Sequence, residues 1–202
     1  MFCCFEGIDG SGKTTQAKLL SEYLTDKGYD VLLTKEPGGS EVGKKIREIL
    51  VNDKLTLEEQ FFLFMADRAY HVRNVIQPAL DAGKVVICDR YHCSTVVYQA
   101  EVLEKFFPNA LFWNITNNGV YPDLTIIIDV PAKVAIERLN KRNDFNILDR
   151  INENDINILR NRFIDYVVYS YKGNPIVING NCSEYEIHDA ILKVLIKKIK
   201  VK

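Results

Sequence analysis

A three-layer α/β/α fold built on a five-stranded parallel sheet is predicted by three features of this sequence. Short, continuous apolar runs recur along it, and segments of helical spacing separate them. A glycine-rich phosphate-binding loop joins the first run to the first helix. With 202 residues, 47% of them hydrophobic and 26% charged, the chain suits one domain, 1–202, around a sizeable core.

The first strand is the apolar run Met1–Phe5. The stretch from Phe5 to Gln16 then reads Phe-Glu-Gly-Ile-Asp-Gly-Ser-Gly-Lys-Thr-Thr-Gln, in which Gly7, Gly12, Lys13 and Thr14 match G-x-x-x-x-G-K-[ST]. Gly7, Gly10 and Gly12 allow the tight turn that brings backbone N–H groups against phosphate oxygens, and Ile8, Asp9 and Ser11 complete the loop. Lys13 supplies a point charge, the Thr14 hydroxyl suits Mg²⁺, and the helix start adds the positive end of its dipole. Ala17, Leu19, Leu20, Tyr23 and Leu24 recur at helical spacing until Gly28. Strand, loop and helix are the context of a P-loop NTPase, so a nucleoside triphosphate is the expected ligand.

Val31–Thr34 is the second strand, stopped by Lys35-Glu36-Pro37-Gly38-Gly39. Ser40 caps a helix carrying Val42, Ile46, Ile49 and Leu50. Thr56-Leu57-Glu58-Glu59 has the form of a capping box and opens one long helix to Asp81, apolar on more than one side. Val85–Cys88 is the third strand, ending at Asp89-Arg90-Tyr91, and Ser94–Phe106 is helical. Residues 107–121 carry no clear pattern. Leu124–Val130 is the fourth strand, closed by Pro131. A helix to about Arg142, a polar stretch (143–148) and a helix from about Glu153 to Tyr171 follow. Pro175–Asn179 is the fifth strand, and Ser183 caps a last helix with Ile187, Ile191, Val194 and Leu195. Right-handed crossovers put all strand C-termini on one edge, which gathers Glu6, Glu36, Asp89, Arg90, Asp129 and Asn179.

Composition excludes several classes of partner. The net charge is −1 and the one basic run is the C-terminal Lys197–Lys202, so neither polymeric nucleic acid nor a membrane surface is expected. The five cysteines show no Cys-x-x-Cys spacing and read as reduced apolar residues. Without a leader pattern or a membrane-length apolar run, the expected location is the cytoplasm.

Asp89, ending a buried strand, suits Mg²⁺ or its water shell, and Arg90 suits a phosphate monoester or the phosphoryl group in transfer. Arg138, Lys141, Arg142, Asp149 and Arg150 surround a loop that is either a solvated face or a mobile cationic lid at about 141–150. Phe64 and Arg68, four apart on one helix face, are either core and surface residues or a base platform with a hydrogen-bonding edge.

Taken together, Phe5–Gln16, Lys35–Gly39, Ala66-Asp67-Arg68-Ala69-Tyr70-His71-Val72, Asp89-Arg90-Tyr91 and Pro122-Asp123-Leu124-Thr125 resemble the thymidylate kinases, in family order across nearly the whole chain. The resemblance implies a homodimeric enzyme, paired through the long helix around 57–80, that phosphorylates dTMP to dTDP with ATP and Mg²⁺. Thr14 and Asp89 would hold the metal, and Gly7 to Thr14 the ATP phosphates. Asp9 would lie near the sugar 3′-hydroxyl and Phe64 against thymine, while Arg68 would read its O4. Arg90 would hold the monophosphate and Tyr98 would crowd C2′, with Glu36 and Thr95 completing the acceptor site. Gly10 occupies the loop position where one branch of the family keeps a catalytic arginine. The chain therefore resembles the bacterial lid-arginine type, with Arg142 the first candidate and Arg138 the second, beside Lys13 and Arg90. Two features depart from the pattern: Thr95 replaces Ser or Asn, and Ala100–Leu103 replaces a Gly/Arg-containing loop. Uridylate, adenylate and deoxynucleoside kinases share the layout. A P-loop GTPase fits poorly, because Asn140-Lys141-Arg142-Asn143-Asp144 places the guanine-reading Asp one position late.

Overall fold

The computed structural model describes residues 1–99, 102, 119–141, 152–170 and 174–198, with backbone alone for 166–170 and 197–198. The expected lid arginines Arg142 and Arg150, and most of 100–118, lie outside the described residues. All five expected strands form: β1 Phe2–Glu6, β2 Val31–Lys35, β3 Val85–Asp89, β4 Leu124–Asp129 and β5 Pro175–Asn179. They make one parallel sheet in the order β2-β3-β1-β4-β5. The register pairs Lys35 with Asp89 and Asp129 with Asn179, so the polar strand ends share one edge. Among the described residues, no helix is long and apolar enough to cross a membrane.

Alternation along β1 builds the layers. Cys3 and Phe5 face α1 (Lys13–Asp26) and α8 (Glu184–Lys198), packing with Leu20, Leu24, Ile187 and Ile191. Phe2 and Cys4 point the other way, towards Val72, Ile76, Val86 and Tyr91. Phe2 and Phe5 are almost fully buried, and each contributes about 2–3 kcal/mol by leaving water. Cys3, Cys4 and Cys88 are buried among these groups, Cys93 is buried beside Ile8, Val97 and Phe163, and none of the five cysteines is in a disulfide.

Capping follows the sequence closely. Ser40 Oγ accepts from the Gly43 amide at the start of α2 (Glu41–Asn52). Thr56 and Glu59 form the reciprocal capping box of α3 (Leu57–His71). The long helix expected to Asp81 is not regular. A π-turn at Val72–Ile76 separates α3 from α4 (Gln77–Asp81), and the Gln77 amide reaches back five residues to the Val72 carbonyl. Pro78 explains it: proline lacks the N–H and its ring collides with the carbonyl four residues earlier, so the chain takes one extra residue into the turn. Helix α5 (His92–Tyr98) starts two residues earlier than expected, α6 is Ala132–Lys141 and α7 is Glu153–Ser170.

Candidate active site

The loop after β1 folds over the start of α1. Gly7 (φ 134°) and Gly10 (φ 78°) adopt left-handed backbone, and each lies where a side chain would collide. A Cβ on Gly7 would stand 2.6 Å from the Ile128 carbonyl oxygen, and one on Gly10 would stand 2.4 Å from that of Ala135. No side chain caps α1, which leaves its first amides free for an anion. Lys13 is buried, and its Nζ donates to the Ile8 carbonyl at 2.7 Å. Burial, with the charge of Arg90, lowers its pKa to about 8.

Thr14 Oγ1 donates to Asp89 Oδ2 at 2.5 Å, while Asp89 Oδ1 is buried with no hydrogen-bond partner. An orphaned carboxylate oxygen beside a hydroxyl is the hard donor set that Mg²⁺ takes, so these residues fit that ion. A cavity of about 400 Å³ opens beside this corner, between Lys18 and Lys35.

On the other side of the loop lies a cavity of about 310 Å³. Asp9, Glu36, Phe64, Arg68, Arg90, Thr95 and Tyr98 all line it, although they come from five separate segments. Arg90 follows β3 with φ 68°, a conformation that costs a non-glycine residue of order 1–3 kcal/mol and is typical of functional positions. This turn aims its guanidinium into the cavity, against Asp9 and Ser94 Oγ (2.9 Å) and over the Tyr98 ring at 5.3 Å. Burial raises the Asp9 carboxyl, but Arg90, Lys13 and the Tyr98 hydroxyl (3.3 Å) outweigh it and hold Asp9 below its usual pKa.

Arg68 is not an exposed residue. It is 2% accessible, with Nε donating to Glu36 Oε2 at 2.7 Å and Nη2 to Thr95 Oγ1 at 2.9 Å, and it stacks 5.0 Å above the Tyr91 ring. Glu36 also meets His71 Nδ1 at 2.9 Å, and His71 Nε2 meets Thr34 Oγ1 at 2.7 Å. Asp67 lies buried next to this network, with the Gly38 amide near its carboxylate. Burial, with the charge of Glu36, raises its pKa to about 6. Phe64 is half-buried and forms the cavity wall beside Arg68.

Arg138, from the cationic cluster, is half-buried. Its guanidinium donates to the carbonyls of Ser11 (3.2 Å), Gly180 (2.8 Å) and Cys182 (3.5 Å), so it ties the phosphate loop to the turn after β5. Several residues that the sequence does not mark for these roles line or support the cavity. Arg47 and Gln99 line the cavity, Ser94 holds Arg90, and Glu6 lies buried behind Ser94. Arg47 and Gln99 resemble ordinary surface helix residues in sequence. Glu6, by contrast, had a signal: a carboxylate ending a buried strand needs donors.

Comparison with known proteins points to one family. The thymidylate kinase family model matches residues 5–191. A probable thymidylate kinase of Pyrococcus abyssi is 40% identical over 204 residues, covering 96% of this chain and 95% of that protein. The thymidylate kinase of a Sulfurihydrogenibium species is 37% identical over 201 residues, covering 96% of each. The crystal structure of thymidylate kinase from Ehrlichia chaffeensis superposes with a TM-score of 0.72 at 33% identity, covering 96% of this chain and 98% of that one. Sequence and fold thus agree over nearly the whole length, and the chain belongs to the thymidylate kinase family.

Proposed function

We propose that this protein, a single domain over 1–202, transfers the γ-phosphoryl group of ATP to dTMP and yields dTDP. The observation that carries the reading is the shared cavity: an aromatic wall and a buried arginine at one end, a second arginine at the other, beside the phosphate loop. Phe64 stacks on thymine while Arg68, held by Glu36 and Thr95, donates to O4. Arg90 binds the monophosphate with its remaining N–H groups, and Arg47 adds a second cation on that wall. Asp9 takes the 3′-hydroxyl and Tyr98 fills the space beside C2′.

Transfer here is chiefly a matter of position and charge. The amides of the loop and Lys13 hold the donor phosphates, with Lys13 exchanging the Ile8 carbonyl for a phosphate oxygen. Thr14 and Asp89 would hold Mg²⁺, which neutralises charge on the phosphate oxygens when bound. Gly10 leaves no room for a loop arginine, because the Ala135 carbonyl occupies the place of its Cβ. That supports a cation arriving from the 141–150 segment, with Arg142 as the choice and Arg138 in a bracing role.

Two chains pair through α3, which presents Leu57 (39% exposed) and Phe62 (57%) to solvent. Phe62→Glu should shift sedimentation equilibrium towards monomer, and an unchanged profile would remove this face from the assembly. The cytoplasm supplies the ATP and the reducing conditions that suit five cysteines without disulfides. The activity itself is tested by a coupled ADP-release assay with ATP and dTMP, dUMP, UMP, AMP or thymidine. dTMP should be the preferred acceptor; turnover of AMP or thymidine in preference to dTMP would overturn the reading.

A further inference from the structure

Arg90 reaches the cavity from a strained backbone, so something must fix its side chain. Its Nη1 donates to Ser94 Oγ at 2.9 Å. Arginine is donor only, so the serine oxygen must accept, and its single proton must go elsewhere. It goes to Glu6 Oε2 at 2.6 Å. The other carboxylate oxygen, Oε1, accepts the Tyr91 amide at 2.8 Å and the Ser94 amide at 3.3 Å. Those are the N-cap and third-residue amides of α5, whose own N-cap side chain makes no capping bond. Glu6 is fully buried at the end of β1, 88 residues before Ser94, and stands behind the cavity wall rather than in it: Tyr91 and Ser94, which it holds, line the cavity and Glu6 does not.

We propose that Glu6 is a positioning residue for the acceptor half of the site: it caps α5 from the neighbouring strand and, through Ser94, fixes the guanidinium of Arg90 on the acceptor phosphate. The inference rests on the reading of Arg90 as the monophosphate ligand. One carboxylate serves both tasks with separate oxygens. The cap holds the helix that carries Ser94, Thr95 and Tyr98, and the serine bond sets the direction of the arginine fork. Its two oxygens accept from three donors, two on Oε1 and one on Oε2, so Glu6 is the common acceptor of this network.

The readout that separates positioning from mere support is the preference for dTMP over thymidine, since only dTMP meets Arg90 with a phosphate. Calorimetric dissociation constants for both ligands give that ratio. Ser94→Ala keeps the charge and volume of the site nearly unchanged and should lower the ratio about tenfold, the size of a hydrogen bond to a charged group. Ser94→Thr, which keeps the hydroxyl, should restore it. Glu6→Asp keeps the buried charge but withdraws it by one methylene, and it should lower the ratio similarly, with no further loss when combined with Ser94→Ala. If Glu6→Asp does not fold, the Ser94→Ala and Ser94→Thr pair decides alone. Arg90→Met is the reference and should show the largest loss. A normal ratio in Arg90→Met overturns the phosphate reading and this inference with it. A low ratio in Arg90→Met beside a normal ratio in Ser94→Ala overturns the inference alone, as do additive losses in the double variant.

Discussion

Arg68→Ala separates what the buried arginine does for the fold from what it does for the base. The guanidinium is the partner of a Glu36 carboxylate that is itself 4% exposed, so its removal leaves a buried charge half-compensated. Breaking such a pair costs about 3–5 kcal/mol. Glu36 keeps its contact with His71 at 2.9 Å, which points to the lower end, about 3 kcal/mol. For a chain of this size each kcal/mol lowers Tm by about 2–4 °C, so a fall of roughly 6–12 °C is expected. Glu36→Gln in the same chain removes the unpaired charge and should recover at least half of that loss. dTMP affinity should not recover, because the O4 donor is still absent. Thermal denaturation of the wild type, both single variants and the double variant, with dTMP calorimetry on each, checks both halves. A Tm within about 2 °C of wild type for Arg68→Ala, or a double variant no more stable than the single, would refute the buried-pair reasoning.

Further outcomes follow from the same geometry. The Asp67 pKa of about 6 lies above the unfolded value, so the folded state holds its proton longer. Stability should therefore decline as pH rises from about 4 through 6, and Asp67→Asn should flatten that slope; parallel pH profiles for the two proteins would contradict it. Lys13, with a pKa near 8, should gain a proton when phosphates replace the Ile8 carbonyl. ATP binding at pH 8 should then show proton uptake, measured as a dependence of binding enthalpy on buffer, and Lys13→Met should abolish it. Arg142→Ala should lower kcat about a hundredfold or more with little change in KM for dTMP, as for a group acting mainly in the transition state. Adding Gly10→Arg should not rescue it, because that position meets the Ala135 carbonyl and has left-handed backbone; restored kcat would show that the loop has room for an arginine.

Most of the fold was legible because its signals are local. Five apolar runs gave five strands, and the caps at Ser40 and Thr56 depend on residues within three or four positions. The strand order was not legible, since it is set by which crossover passes over which face. The π-turn before Pro78 could have been foreseen from the proline alone. In the candidate site, Asp9, Lys13, Arg68 and Arg90 stand out in sequence by their chemistry and motifs, and the structure brings Asp9, Arg68 and Arg90 to one cavity. For Arg68 the sequence leaves a surface role and a base-reading role both open, because burial of an arginine depends on a partner 32 positions away that sequence spacing cannot pair with it. Glu6 is legible as a strand-end residue on the ligand edge, but its bond to Ser94 is not, because that bond spans 88 positions. Arg138 stood in a cationic cluster in sequence and proves to be a brace between two loops, which only the backbone carbonyls of Ser11 and Gly180 reveal.

The most direct test of the whole reading is a crystal structure of this protein with dTMP and a non-hydrolysable ATP analogue. The expected density places the dTMP phosphate on Arg90, the thymine between Phe64 and Arg68 with O4 towards the guanidinium, and C2′ against Tyr98, with the analogue's phosphates along Gly7–Thr14. A thymine bound away from Phe64 and Arg68, or a phosphate that does not meet Arg90, would contradict it.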